Sequence, residues 1–285
     1  MSCIPWPAWV IRKAMKHALS SVVFILLSAI FLTAQGLPNG TILPLALGTP
    51  IREAKLKPGD PVVAKLAQYV EVNGMRLPRG TEVSGHVIEF GPGTKGAGQR
   101  VALVFDKISL HGATVSIVTT LRALASMEAV FEAQLPTNLI DDFGSSIRDW
   151  NTLQIGGQVV YRGDGSVMEA DKVVGRATIV GEVFGEPKTW PWSPCSRDRA
   201  SNTVQSFWVF STDACGIYGS PNLKLAHAGR TEPVGQIVIE SPGKLDIRPG
   251  SGWLLVVVSS GEHAGSAPPD SQRAKLSGSI EAGPQ

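Results

Sequence analysis

The sequence predicts a mainly β protein, in which a β-barrel or sandwich domain is followed by two short helices and then by a second β-rich domain. Three observations carry that expectation. Apolar and polar side chains alternate with a period of two up to about residue 120, and strand-like apolar runs return from residue 153; Gly, Pro, Asn and Asp interrupt the chain at short intervals; and a helical period replaces the alternation over residues 121–150. A chain of 285 residues has room for one large β domain or two smaller ones.

Taken in order, the amino terminus sets the compartment. Arg12, Lys13 and Lys16 precede the uncharged run "ALSSVVFILLSAIFLTA" from Ala18 to Ala34, which breaks at Gln35-Gly36-Leu37-Pro38. A basic region, an apolar centre and a breaker are the parts of a secretory signal, so residues 1–34 are expected to be a signal peptide, cleaved near Ala34 or Gln35. The alternative is an uncleaved anchor, because an uncharged run of about seventeen residues lies at the lower edge of a bilayer-spanning helix. Membrane contact would then pass only through residues 18–34, with the basic end inside. Either way the bulk of the chain is expected to be periplasmic or secreted, or held at the inner membrane by its first segment. Without residues 1–34 the chain carries 23 basic and 24 acidic side chains. That balance provides no positive surplus to neutralise phosphates and argues against nucleic acid as a partner.

Residues 36–120 read as a β domain. Val83, Gly85 and Val87 alternate with Glu82, Ser84 and His86, and Val115 and Ile117 with Thr114 and Ser116. Asn73-Gly74 lies between "VVAKLAQYVEV" and "MRLPRG", the strongest short signal for a tight hairpin turn. The segment Gly91-Pro92-Gly93-Thr94-Lys95-Gly96 fits G-x-G-x-x-G, but a dinucleotide site needs a helix straight after the glycines to hold the pyrophosphate. The next residues, "QRVALVFDKISL", have a strand pattern instead, and Lys95 has no Ser or Thr after it as a phosphate-binding P-loop requires. The stretch is expected to be a hairpin loop, and no cofactor is predicted.

The same region resembles a known family. Gly40-Thr41-Ile42, then Pro78-Arg79-Gly80-Thr81 with Gly85, then Gly98-Gln99-Arg100-Val101 follow the pattern of the carboxy-terminal β-barrel domain of TrbI-type conjugation and type IV secretion envelope proteins. The resemblance covers residues 37–120 and implies a barrel. The chain departs from that family in having no long proline-rich linker before the barrel and in its second half, so the resemblance implies architecture and not membership of a secretion ring. A monomer or small oligomer is expected.

Residues 121–152 are expected to form a helical connector. Leu121, Leu124, Met127, Phe131 and Leu135 fall at helical spacing, and so do Leu139, Phe143, Ile147 and Trp150 after Pro136-Thr137-Asn138. The two stripes are read as faces docked within the chain. Asp141 and Asp142 project about 100 degrees apart on a helix and suit a first turn better than a catalytic pair.

From residue 153 to 260 the chain returns to β. "GQVVYRGDGSVM" reads as a hairpin around Asp164-Gly165, whose turn chemistry also accounts for the tripeptide Arg162-Gly163-Asp164. "GWLLVVVSS" is apolar on both faces and is expected to be a central strand. Residues 261–285 have the composition of a disordered tail.

Cys195 and Cys215 are the two cysteines left after the leader, which takes Cys3 with it, and an even number in an oxidising compartment predicts a disulfide. Around them lie Trp190, Trp192, Phe207, Trp208, Phe210 and Tyr218. These aromatics are expected mainly to pack a core; Trp190, Trp192 and Tyr218 are the ligand-binding candidates, with the two tryptophans set on a loop by Pro191 and Pro194. His86, His111, His227 and His263 are scattered with no zinc-like pairing, so no metal is predicted. His227, Arg230 and Glu232 read as a solvated turn, and no Gly-x-Ser-x-Gly elbow presents a serine. No catalytic residue is assigned. The function expected is an exported cell-envelope binding or assembly protein without enzymatic activity, its partner an envelope protein or glycan. The competing reading is a secreted or periplasmic glycan-active enzyme using the tryptophans as a sugar platform.

Overall fold

A computed structural model describes residues 36–52, 56–93, 98–110, 112–134, 150–161, 166–169, 172–177, 183–187, 195 and 203–260. The expected leader or anchor, the Asp141-Asp142 pair, the turn at 162–165 and the tail from 261 lie outside these residues. Among the described residues no helix is long and apolar enough to cross a membrane.

The first half of the chain lays down β1 (Ile42–Leu47), β2 (Ile51–Arg52), β3 (Pro61–Leu66), β4 (Val70–Val72), β5 (Met75–Leu77), β6 (Glu82–Pro92), β7 (Gln99–Leu110) and β8 (Ala113–Ala125). A helix, α1 (Met127–Gln134), comes next. Then come β9 (Trp150–Gln154), β10 (Gly157–Tyr161), β11 (Ser166–Glu169), β12 (Lys172–Ala177), β13 (Val183–Gly185) and β14 (Gln205–Trp208). The last stretch carries β15 (Gly216–Tyr218), β16 (Lys224–Ala228), β17 (Ile237–Ser241), β18 (Asp246–Ile247) and β19 (Gly252–Ser260).

Six of these strands close a barrel. The order is β8, β19, β1, β3, β6, β7 and back to β8, with every pairing antiparallel. Closure removes the open sheet edges that invite wrong pairing. The seam between β7 and β8 is partial: Lys107–Leu110 pair with Ala113–Ser116, after which the strands splay and the Thr119 hydroxyl donates to the carbonyl of Phe105 at 2.9 Å. Beyond the splay, β17 takes up the free edge of β7 at Gln99–Leu103, β16 pairs with β17, and β15 runs parallel to β8 at Ala123–Ala125.

Several expectations hold. Val83 and Val87 are buried while Glu82 is exposed. β6 and β7 are an antiparallel hairpin across the glycine-rich stretch, Pro92 opposite Gln99 and the Gly93 amide donating to the Gly98 carbonyl at 3.1 Å. β4 and β5 meet through Asn73 and Gly74, with φ of 50° and 75°. Two successive positive values define a type I′ turn, the connection whose twist matches that of a hairpin. The hairpin across 162–165 exists as the pair β10 and β11.

The helical connector is corrected in part. Leu121 and Leu124 lie on β8, not on a helix. The register between β8 and β19 shifts where Leu121 faces Leu255 and Ala123 faces Leu254, a bulge that places Arg122 between them. One extra residue brings Leu121 and Leu124 to the same core three positions apart. That spacing imitates a helix. The helix begins only at Met127, capped by Ser126, whose hydroxyl accepts from the Ala129 amide at 3.1 Å. Its buried side chains are Val130 and Ala133, while Phe131 is 61% exposed, so the docked face is not the one the stripe indicated. The second expected helix, on Leu139, Phe143 and Ile147, lies outside the described residues; Trp150 opens β9.

The expected boundaries also cut across the sheets. A division at residue 120 falls inside β8, and the barrel's sixth strand, β19, comes from the stretch allotted to the second region. β19 is a central strand, buried along Gly252–Val257. Trp253, Leu255 and Val257 belong to the barrel core, with Trp253 edge-on to Phe105 at 5.4 Å between ring centroids. Leu254 and Val256 belong to a second core. This second core lies against a six-stranded antiparallel sheet in which β9 to β14 pair in chain order, and a parallel bridge between Ile155 and Phe210 links the ends of its outer strands. Polar side chains fasten the two sheets. The Gln205 side chain accepts from the Ile42 amide at 2.8 Å and donates to the Gly40 carbonyl at 2.9 Å, and the Ser206 hydroxyl donates to the Tyr69 carbonyl at 2.8 Å.

Candidate functional site

Cys195 and Cys215 form a disulfide, with their Cα atoms 5.9 Å apart. The bond sits where the second sheet meets the outer face of β8. After β14 the chain turns sharply, the Phe210 amide donating to the Phe207 carbonyl at 3.0 Å, and Trp208 holds a positive φ of 55°. A left-handed conformation is uncommon for so large a side chain. It lies at the β13–β14 register shift, where Val183 faces Trp208 and Phe184 faces Ser206.

The next loop, Ser211 to Cys215, wraps a buried cation. Arg122, 1% exposed, donates through Nε to the Ala214 carbonyl at 3.1 Å and through Nη2 to the Thr212 carbonyl at 3.0 Å. A guanidinium taken out of water needs such acceptors, since an uncompensated buried charge costs several kcal/mol. The loop is therefore shaped by what it must offer Arg122, and the disulfide holds its last residue.

A second arginine reaches the disulfide from the other side. Arg230, in the loop between β16 and β17, donates through Nη2 to the Leu121 carbonyl at 2.6 Å and to Cys195 Sγ at 3.1 Å. The two cysteines differ in access: Cys195 is 1% exposed, whereas Cys215 is only partly buried. His227, expected in one polar turn with Arg230 and Glu232, instead ties its own loop, with Nδ1 2.7 Å from the Gln236 carbonyl and Nε2 3.0 Å from the Thr231 hydroxyl.

Of the ligand-binding candidates, Tyr218 is a structural residue. Its hydroxyl accepts from the Cys215 amide at 2.9 Å and donates to the Cys215 carbonyl at 3.0 Å, and its ring packs against the second core. Both hydrogen-bonding directions of the phenol are spent on holding the disulfide loop. Phe207, Trp208 and Phe210 are buried in that same core, as expected of most of the cluster. Trp190 and Trp192 lie outside the described residues. Among the described residues no three His, Cys, Asp or Glu side chains converge on a point that could hold a metal.

A groove of about 470 Å³ opens elsewhere, between the turn at Pro38–Thr41, the β4–β5 hairpin and Thr203–Gln205. Its walls are mixed: Glu71 and Arg76, opposite each other across the hairpin, with Asn39 and Asn73 as neutral polar groups and Val72 and Val204 as apolar ones. Arg76 also stacks over Tyr69, 3.8 Å from the ring centroid, and Tyr69 in turn packs on Phe184 at 5.0 Å. The groove could not be found in the sequence, because it joins three segments that only folding brings together. Arg122 did leave a signal, a lone charge in the otherwise uncharged run "TVSIVTTLRALAS". No protein-family model, no curated protein and no solved structure matches the chain.

Proposed function

We propose that the protein is an exported, envelope-side binding or assembly protein that acts through its surface. The observation that supports export is the Cys195–Cys215 disulfide, set inside the body and bonded on both sides by Arg230 and Tyr218. Such bonds persist in oxidising compartments and are rare where thiol reductants hold cysteines open. The short basic and apolar amino-terminal stretch gives the same direction. Binding is supported by the groove beside the β4–β5 hairpin, which offers one acidic, one basic and several neutral polar groups over apolar walls. That mixture suits a polypeptide segment better than a polyanion, because a polyanion would meet Glu71.

The test is made in the producing cell. Thiols are blocked before lysis, the fractions are separated, and a photo-crosslinking residue at Asn73 reports what occupies the groove. The reading predicts an oxidised protein in the envelope or extracellular fraction and an adduct with an envelope protein. A reduced protein in the cytosol overturns the export reading, and a crosslinker at Asn73 that traps no envelope protein overturns the binding reading.

A further inference from the structure

We propose that the Cys195–Cys215 bond is a directional thiol–disulfide exchange site, in which a small-molecule thiolate attacks Cys215 and Cys195 departs as the thiolate. Two asymmetries between the cysteines set the direction. The first is access: an attacking sulfur must approach along the line of the bond, and Cys215 is only partly buried while Cys195 is 1% exposed. The second is charge. Exchange is faster when the departing sulfur is the better stabilised anion, and Arg230 Nη2 lies 3.1 Å from Cys195 Sγ. A guanidinium at that distance stabilises a thiolate as arginine and lysine do beside reactive cysteines. Cys215 has a different environment. Its backbone amide and carbonyl are both engaged by the Tyr218 hydroxyl, which fixes the residue through its main chain and not through its sulfur.

The step balances without any further reagent. The external thiolate uses a lone pair to bond Cys215 Sγ; the electron pair of the old bond leaves with Cys195 Sγ; the products are a mixed disulfide on Cys215 and a thiolate on Cys195. When that thiolate takes up a proton, the carbonyl of Arg122, 3.3 Å away, stands ready to accept the S–H. A second external thiolate attacking the mixed disulfide completes a two-electron reduction, and attack by Cys195 reverses the first step.

The consequence is structural as well as chemical. Reduction releases the end of the loop whose carbonyls at Thr212 and Ala214 hold the buried guanidinium of Arg122. The exchange site is thereby connected to the join between the barrel and the second sheet.

The experiment uses the oxidised full chain and glutathione as the probe. Brief exposure, acid quenching, alkylation and peptide mapping locate the glutathione adduct, since tryptic cleavage after Arg197 separates the two cysteines. The proposal predicts the adduct on the Cys215 peptide and the alkylated thiol on the Cys195 peptide; the reverse distribution overturns it. A rate measurement gives a second arm. Arg230→Met is expected to slow reduction by glutathione about three- to tenfold and Arg230→Lys to leave it near the original rate. If Arg230 served only to brace the loop, its loss would loosen the loop and speed reduction, so an unchanged or faster rate for Arg230→Met overturns the electrostatic role.

Discussion

The barrel and the six-stranded sheet are both antiparallel, yet they are held together in opposite ways. The barrel closes by pairing segments far apart in the sequence, β1 against β19, with Ile42 opposite Val256. Its interior is lined from all six strands, including Leu43, Val62, Val83, Leu103, Leu121 and Trp253. The sheet pairs its strands in chain order, β9 through β14, packs against the barrel through the second core, and carries a crosslink around β14. Burial accrues at roughly 25 cal/mol per Å² of apolar surface. An open sheet has no ring closure to bury its strands against one another, and a covalent bond that shortens the unfolded chain adds to what packing against the barrel supplies. Non-local closure also costs loop entropy before it is rewarded, so the barrel is the slower part to assemble.

The largest expected effect comes from breaking the element both regions share. Trp253 is fully buried in the barrel core, edge-on to Phe105, while its neighbours Leu254 and Val256 face the second core. Trp253→Ala should lower the stability by about 3–5 kcal/mol, the usual cost of emptying a large aromatic site. Because β19 belongs to both cores, loss of the barrel and of the sheet should coincide in one denaturant transition, seen alike by fluorescence and far-ultraviolet circular dichroism. Two separate transitions would mean that the sheet stands without the barrel.

The crosslink comes next. Cys215→Ser opens a loop whose ends are twenty residues apart in sequence. On the chain-entropy model it should cost about 3 kcal/mol under oxidising conditions. The same variant should lose almost nothing relative to the parent when both are measured in reductant. Equal melting temperatures under oxidising conditions would show that the bond adds nothing to the sheet.

How much of this was legible depends on which physical signal wrote it. The hairpin turn at Asn73-Gly74 and the alternation around Val83 are local, so they can be read without knowing what packs where. The pairing of Cys195 with Cys215 came from counting. β19 was legible as central because both its faces are apolar. The features that stayed hidden depend on distant chain segments: the place of β19 in the barrel, the bulge at Arg122 that gave Leu121 and Leu124 a helical spacing, and the groove that joins Asn39, Arg76 and Val204. The structural part of Tyr218 stayed hidden for the same reason. An aromatic beside a cysteine looks like display until its hydroxyl is seen bonding the Cys215 backbone in both directions.

A matched pair of glycines compares the rigidity of the two regions directly. A Cβ at Gly85 in β6 would lie 1.7 Å from the Val104 carbonyl oxygen, and one at Gly175 in β12 would lie 1.8 Å from that of Phe184. The insult is nearly equal and falls on backbone in both cases. Both glycines lie at or near a register shift, Gly85 at the one between Ser84 and Gly85 and Gly175 beside the one between Val167 and Met168, but Gly85 sits in a closed ring flanked by β3 and β7, whereas Gly175 sits in a sheet that does not close. Gly85→Ala should cost about 2–3 kcal/mol and Gly175→Ala about 1–2 kcal/mol, within the range for overpacking. Equal losses, read from urea midpoints, would remove the distinction in rigidity.

The smallest effect isolates the backbone. Gly74 occupies the second turn position of the β4–β5 hairpin with φ near 75°, and a Cβ there would meet nothing within 4 Å. Gly74→Ala therefore changes no packing; it charges the folded state for a left-handed alanine, about 1 kcal/mol. The two-stranded β4–β5 pair stands outside the closed ring, so the strain can be relieved by opening the hairpin and leaving the barrel intact. A midpoint shift of that size with an unchanged denaturant slope is the expected result, together with faster amide exchange at Val72 and Met75 and unaltered exchange in β19. Slowed or unchanged exchange at the hairpin would refute the type I′ geometry. Faster exchange spreading into β19 would show that the hairpin braces the ring and is not merely attached to it.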